Sequence, residues 1–152
     1  MSYLFQIVET EVQPVLSVKT TTSVRNLPNI VGQIFESIVN YIAESGEEPV
    51  GPAFIGYFNM DMENLEVKIG FPVQNEIEGK GDIKLRYIPA GKKATAFYKG
   101  SYNDIGPLYE KLADWISKKG YEPTGVVYEY YYNSPEVIPE SELLTKVEFL
   151  LK

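Results

Sequence analysis

The run Tyr128-Glu129-Tyr130-Tyr131-Tyr132 sets one carboxylate among aromatic side chains. On an extended strand side chains alternate, so Val127, Glu129 and Tyr131 share one face and Tyr128, Tyr130 and Tyr132 the other. A buried carboxylate without a partner is costly. Glu129 must therefore be solvated, hydrogen-bonded by phenol hydroxyls, or paired with a cation. Two readings stay open on these residues alone. Glu129 lies on a wet sheet face or in a salt bridge to a lysine, or it anchors a cationic ligand held between rings by charge and cation–π attraction.

Other chemistries are excluded by composition. The 152 residues contain no Cys and no His, which removes thiol nucleophiles, disulfides, thiolate or imidazole metal sites, and any histidine general base. No cofactor or metal is called for. Asp61-x-Glu63, beside Asn59 and Asn64, reads as an exposed hairpin loop rather than a calcium site, which needs more oxygen ligands at set spacing. Gly79-Lys80-Gly81 reads as a turn and not a phosphate cradle; Lys92-Lys93 and Lys118-Lys119 read as solvated surface. The net charge of -7 opposes binding to a phosphate backbone. The N-terminus lacks a basic segment followed by a long apolar run, and nothing approaches a membrane-spanning stretch. The expectation is a soluble, cytoplasmic protein of one domain, 1–152, that touches neither membrane nor nucleic acid directly.

The elements that position Glu129 follow from an internal repeat. Asn29–Asn59 aligns without gaps on Asn103–Asn133, with ten of 31 positions identical, among them Gly32/Gly106, Glu36/Glu110, Ile42/Ile116, Gly46/Gly120, Pro49/Pro123, Gly51/Gly125 and Tyr57/Tyr131. In each copy an apolar stripe at helical spacing predicts a helix: Leu27, Ile30, Ile34, Ile38 and Tyr41, then Ile105, Leu108, Leu112, Trp115 and Ile116. Asn26 and Asn103 are the expected N-caps, Gly46 and Gly120 the stops. Strands are expected before each helix (Val15–Thr22, Ala94–Gly100) and after it (Ala53–Asn59 with Leu65–Val73; Val126–Asn133 with Leu143–Leu151), with further strand at Phe5–Glu11 and Ile83–Ile88. The fold class is α+β: two β-α-β-β repeats, about 1–74 and 83–152, related by a pseudo-two-fold axis, with antiparallel sheets, two helices and a central groove. The repeat sets Ile55 and Tyr57 against Glu129 and Tyr131, and Phe54 and Phe58 against Tyr128 and Tyr132. The latter set is the expected helix-packing face, leaving the Glu129 face to the groove.

Gly100-Ser101-Tyr102, Leu108-Tyr109, Trp115-Ile116, Gly120-Tyr121, Gly125, Glu129, Asn133-Ser134-Pro135 and Glu142-Leu143-Leu144-Thr145 form an ordered set. It resembles the gyrase-inhibitor-like effector-binding domains, which are also the ligand domains of many bacterial multidrug-sensing transcription regulators. Two positions depart from that pattern: Ser101 where proline is usual, and Lys146 where an acid is. The resemblance implies a stand-alone binder of amphipathic aromatic or cationic xenobiotics, with Glu129 as the ligand-anchoring acid and Tyr131, Tyr57 and Ile55 on the same face. Trp115 is a cage candidate, although its place on the helix stripe also suits core packing. Two rivals remain: a hydrolase of cyclopropane-bearing toxins using Glu129 on water, and a protein–protein inhibitor with an acidic surface and a protein partner.

Overall fold

The computed structural model describes residues 4–152. In chain order the elements are β1 (Phe5–Thr10), β2 (Gln13–Thr22), α1 (Leu27–Glu44), β3 (Ala53–Tyr57), β4 (Leu65–Pro72), β5 (Lys84–Ile88), β6 (Gly91–Lys99), α2 (Gly106–Lys118), β7 (Pro123–Tyr131) and β8 (Leu144–Leu151). The class is α+β, as the sequence implies, and the strand pairings within each unit are antiparallel. Among the described residues no helix is long and apolar enough to cross a membrane.

The chain forms two compact units. The unit of residues 11–90 holds β2, α1, β3, β4 and β5, with strand order β3-β4-β2-β5. Residues up to Thr10 join 91–152, and this unit's strand order is β1-β6-β8-β7. Each unit therefore contains a β-α-β-β chain with its last strand in the middle, plus one additional strand at the edge. The additional strands attach crosswise to chain order. Strand β1, at the N-terminus, pairs with β6 from Phe5↔Ala96 to Thr10↔Gly91. Strand β5, which opens the second sequence repeat, pairs with β2 of the first. The segment 75–82 joins β4 to β5 within one unit, where Ile77 packs in the α1 core and the Tyr41 hydroxyl donates to the Glu78 carbonyl.

Helix α1 buries Ile38 and Ile42 against Leu16 and Val73, with Ile34, Val18 and Phe71 packed around them. Helix α2 buries Leu108, Leu112 and Ile116 against Ala94, Ala96, Tyr98, Val127, Val147 and Phe149. The stripes match the periodicity in sequence, and the helices end before Gly46 and Gly120. Two capping expectations are corrected. Asn26 stands at the N-cap of α1 but its side chain does not cap; its amide donates to Thr22 Oγ1 instead. Asn103 lies inside a 3-10 turn, Tyr102–Asp104, whose start is capped by Ser101 Oγ accepting from the Asn103 amide. Pro107 then opens α2, a position where its missing N–H costs nothing.

A larger correction concerns the sheet faces. Val127 belongs to the α2 core, so the face carrying Val127, Glu129 and Tyr131 is the helix side. Ile55 and Tyr57 pair with Ile69 and Val67, which alternate in phase with Phe71, and so face α1's side in their own unit. The bulky Phe54 and Tyr128 are buried on the opposite faces. The bulk of side chains within one strand does not set its helix side; another strand of the same sheet does. Ala94 and Ala96 of β6 leave room for the helix, and no such small pair lies on the Tyr128 side.

Candidate functional site

Glu129 lies near the middle of the β7–β8 pairing, opposite Val147, with Tyr131 opposite Thr145. The pairing shifts register between Pro123 and Val127, and Gly125 inside that bulge has φ 97°. That backbone suits glycine, and the bulge sets which side the following residues face. Helix α2 reaches the same spot from above. Its Tyr109 hydroxyl donates to Glu129 Oε2, and the Tyr131 hydroxyl donates to Oε1 at 2.7 Å. Each carboxylate oxygen thus holds one phenol.

Aromatic rings surround this group. Tyr102, in the turn before α2, meets the Tyr131 ring edge-on at 5.6 Å, and the Tyr109 ring lies 5.6 Å from Phe149. Burial pushes the Glu129 carboxyl above the usual range, while the hydrogen bonds from Tyr109 and Tyr131 pull it back. The Tyr102 hydroxyl is raised by burial and then by the charge of Glu129. Among the described residues no lysine or arginine forms a salt bridge with Glu129. Thr145 is fully buried, and its hydroxyl has no hydrogen-bond partner among the described residues. On the helix side of one β-α-β-β unit, the chain places a carboxylate held by two phenols, a third tyrosine and an unpaired hydroxyl.

The other copy shows what this position looks like without that chemistry. In the repeat alignment Phe35 corresponds to Tyr109 and Ile55 to Glu129. Phe35 and Phe71 meet at 5.6 Å, as Tyr109 and Phe149 do, but with no hydroxyl and no acid. The same helix–strand corner is thus built dry once and polar once. The dry version is adequate for packing, so the Tyr109–Glu129 pair is surplus to folding.

The expected site residues divide accordingly. Glu129 and Tyr131 come together directly. Ile55 and Tyr57 stand on β3 of the other unit, Ile55 buried and Tyr57 half-buried. Trp115 belongs to the Glu129 unit but packs elsewhere, with Phe5 at 5.7 Å and the Lys119 ammonium 5.7 Å from its ring. Tyr109 and Tyr102 were not singled out as site residues from sequence. A signal existed for Tyr109: it falls four after Ile105 and three before Leu112, on the edge of the apolar stripe, where a hydroxyl needs a partner. Among the described residues no cluster of three acidic side chains could hold a metal ion.

A family model described as the GyrI-like small molecule binding domain matches residues 5–152. No curated protein matches the chain. Among solved structures, the EcmrR–DNA complex superposes with a TM-score of 0.84 at 20% identity, over 99% of this chain and 57% of that one. The isolated EcmrR C-terminal domain gives 0.76 at 19% identity, over 100% and 99%. A structure of SAV2435 bound to tetraphenylphosphonium gives 0.62 at 11% identity, over 100% and 94%, and a hydrolase from Listeria innocua gives 0.73 at 11%, over 97% and 91%. At these identities the likeness is one of fold. The chain spans little more than half of the EcmrR chain in the DNA complex.

Proposed function

Because the chain belongs to the family of GyrI-like small-molecule-binding domains, we propose that it binds amphipathic aromatic cations, with Glu129 as the charge anchor. The observation that carries this reading is the carboxylate of Glu129, half-buried under α2 with phenols on both oxygens and, among the described residues, no lysine or arginine in a salt bridge with it. A ligand cation would supply the missing counter-charge. The rings of Tyr102, Tyr109 and Tyr131 offer π faces and edges for a flat or propeller-shaped aromatic body. The buried hydroxyl of Thr145 remains for a polar ligand atom or a water. Tyr57, Ile55 and Trp115 remain candidates for further ligand contact. By analogy with EcmrR and SAV2435, the biological setting is sensing or sequestration of a xenobiotic, coupled to transcription.

Tetraphenylphosphonium is the first probe. Its affinity by calorimetry is expected to fall at least about tenfold in Glu129→Gln, which keeps shape and removes charge. Equal affinity in the variant would refute the anchor role. A second reading is hydrolysis of a strained electrophile. It is favoured by the raised carboxyl pKa, which suits a group that accepts a proton nearer neutrality. Turnover lost in Glu129→Gln while binding persists would select that reading.

A further inference from the structure

Strand β1 is an outer edge of its sheet. It pairs with β6 on one side, and among the described residues no other backbone hydrogen bond is made by Gln6, Ile7, Val8 or Glu9. A recess of about 510 Å³ lies along it, lined by the consecutive residues Phe5–Val8 and by Trp115, Lys119 and Tyr121. Successive residues of a strand point to opposite faces, so a recess that touches all four borders the backbone edge rather than either face. Open edges accept further strands, and proteins guard them with lysine, proline or a bulge. The outer strand of the other unit, β5, is guarded in this way: Lys84 is exposed on it and Pro89 follows its end. Strand β1 carries no lysine, arginine or proline, and its register with β6 runs one to one from Phe5↔Ala96 to Thr10↔Gly91. Leu4, just ahead of it, is 72% exposed.

The charges beside this edge are complementary to the edge itself. Lys119 and Glu9 are both exposed, and neither forms a salt bridge among the described residues. The Lys119 ammonium lies 5.7 Å from the Trp115 ring, which in turn packs on Phe5. Lys92, across the ladder from Glu9, has its ammonium 5.7 Å from the Tyr121 ring instead. We propose that β1 is the surface through which two copies of this chain associate, edge to edge and antiparallel, continuing the sheet of this unit across a two-fold axis. Directly opposed residues of an antiparallel pair must project to the same side of the sheet. Phe5 and Ile7 project toward α2, and Glu9 shares their phase. An axis at Ile7 satisfies that rule, setting Phe5 opposite the partner's Glu9 and Gln6 opposite the partner's Val8. The partner's Glu9 then arrives at the Phe5–Trp115 contact, beside the Lys119 ammonium. Symmetry makes that ion pair twice, as in any isologous interface. The two Glu9 carboxylates stand four residues apart along the strands, roughly 14 Å, so they do not oppose each other at close range. The proposal does not rest on the role given to Glu129.

Sedimentation of the whole chain over a concentration series tests this, with hydrogen exchange read at the β1 amides. A monomer–dimer equilibrium is expected, in which amides among Gln6–Glu9 gain protection as the dimer forms. Lys119→Glu and Glu9→Lys, both at exposed positions, should each raise the dissociation constant at least about tenfold, because each turns two attractions into two repulsions. The doubly reversed chain should return to within about threefold of the parent. That recovery separates a lost ion pair from a damaged fold. A monomer at every concentration overturns the proposal. So does a dimer whose β1 amides gain no protection, one indifferent to both reversals, or a double variant no tighter than the single ones.

Discussion

At the residue scale, the unusual feature is a carboxylate whose burial disfavours its charge while two phenol hydroxyls favour it. Glu129 has its pKa raised by burial beyond what Tyr109 and Tyr131 restore. The folded state therefore holds the proton more tightly than the unfolded chain. Stability falls as pH rises from the unfolded value through the folded one, and the full penalty is present above it. Glu129→Gln, with no proton to lose, is expected to melt higher than the parent at pH 7 and to show a flatter pH dependence between pH 4 and 7. Thermal melts across that range decide it; a parent that is the more stable at neutral pH would show that the phenol bonds outweigh burial. Glu129 was legible in sequence because an acid interrupts a run of aromatics. Its partner on α2 was not, since periodicity marks which residues face inward but not which strand residue each one meets.

Elements were more legible than their faces. Apolar spacing locates both helices and the strands about them, because burial imposes its period on the sequence. Which side of a strand meets the helix depends on residues elsewhere in the sheet, and Ala94 and Ala96 act from β6, two strands across and some thirty positions away from β7. A similar cross-strand constraint governs the middle of the other unit. Gly70 on β4 pairs with Ser17 on β2. A Cβ at Gly70 would overlap the Leu16 carbonyl oxygen and lie 2.9 Å from Ser17 Cβ, and Ser17 is fully buried and held by Arg86. Backbone would have to move. Gly70→Ala is expected to cost about 1–3 kcal/mol in denaturant unfolding, whereas Gly32→Ala, inside α1 where a Cβ meets nothing within 4 Å, should gain about 0.5–1 kcal/mol. Similar losses at both positions would contradict the close approach.

For the molecule as a whole, the exchange of edge strands matters most. The unit bearing Glu129 is completed by β1, whose Phe5 packs on Trp115 and whose Ile7 joins the α2 core. Removing residues 1–10 should therefore destabilise residues 91–152, far along the chain, more than the adjoining β2. Burying Phe5 and Ile7 is worth about 3 kcal/mol together. Trp115 is the sole tryptophan, so its emission should shift to the red and its unfolding midpoint drop. An unchanged spectrum and midpoint would mean that β1 contributes little there.

Synthesis from the N-terminus gives that pairing a particular timing. Strand β1 leaves the ribosome before residues 11–90, but Ala94 and Ala96, which Phe5 and Ile7 must join, emerge only after the whole of that other unit has been made. Until then Phe5, Ile7 and Val8 have no sheet to enter, and they ride ahead of a unit that can close without them. The nascent chain thus carries an unpaired apolar strand for most of its translation, a natural target for a chaperone.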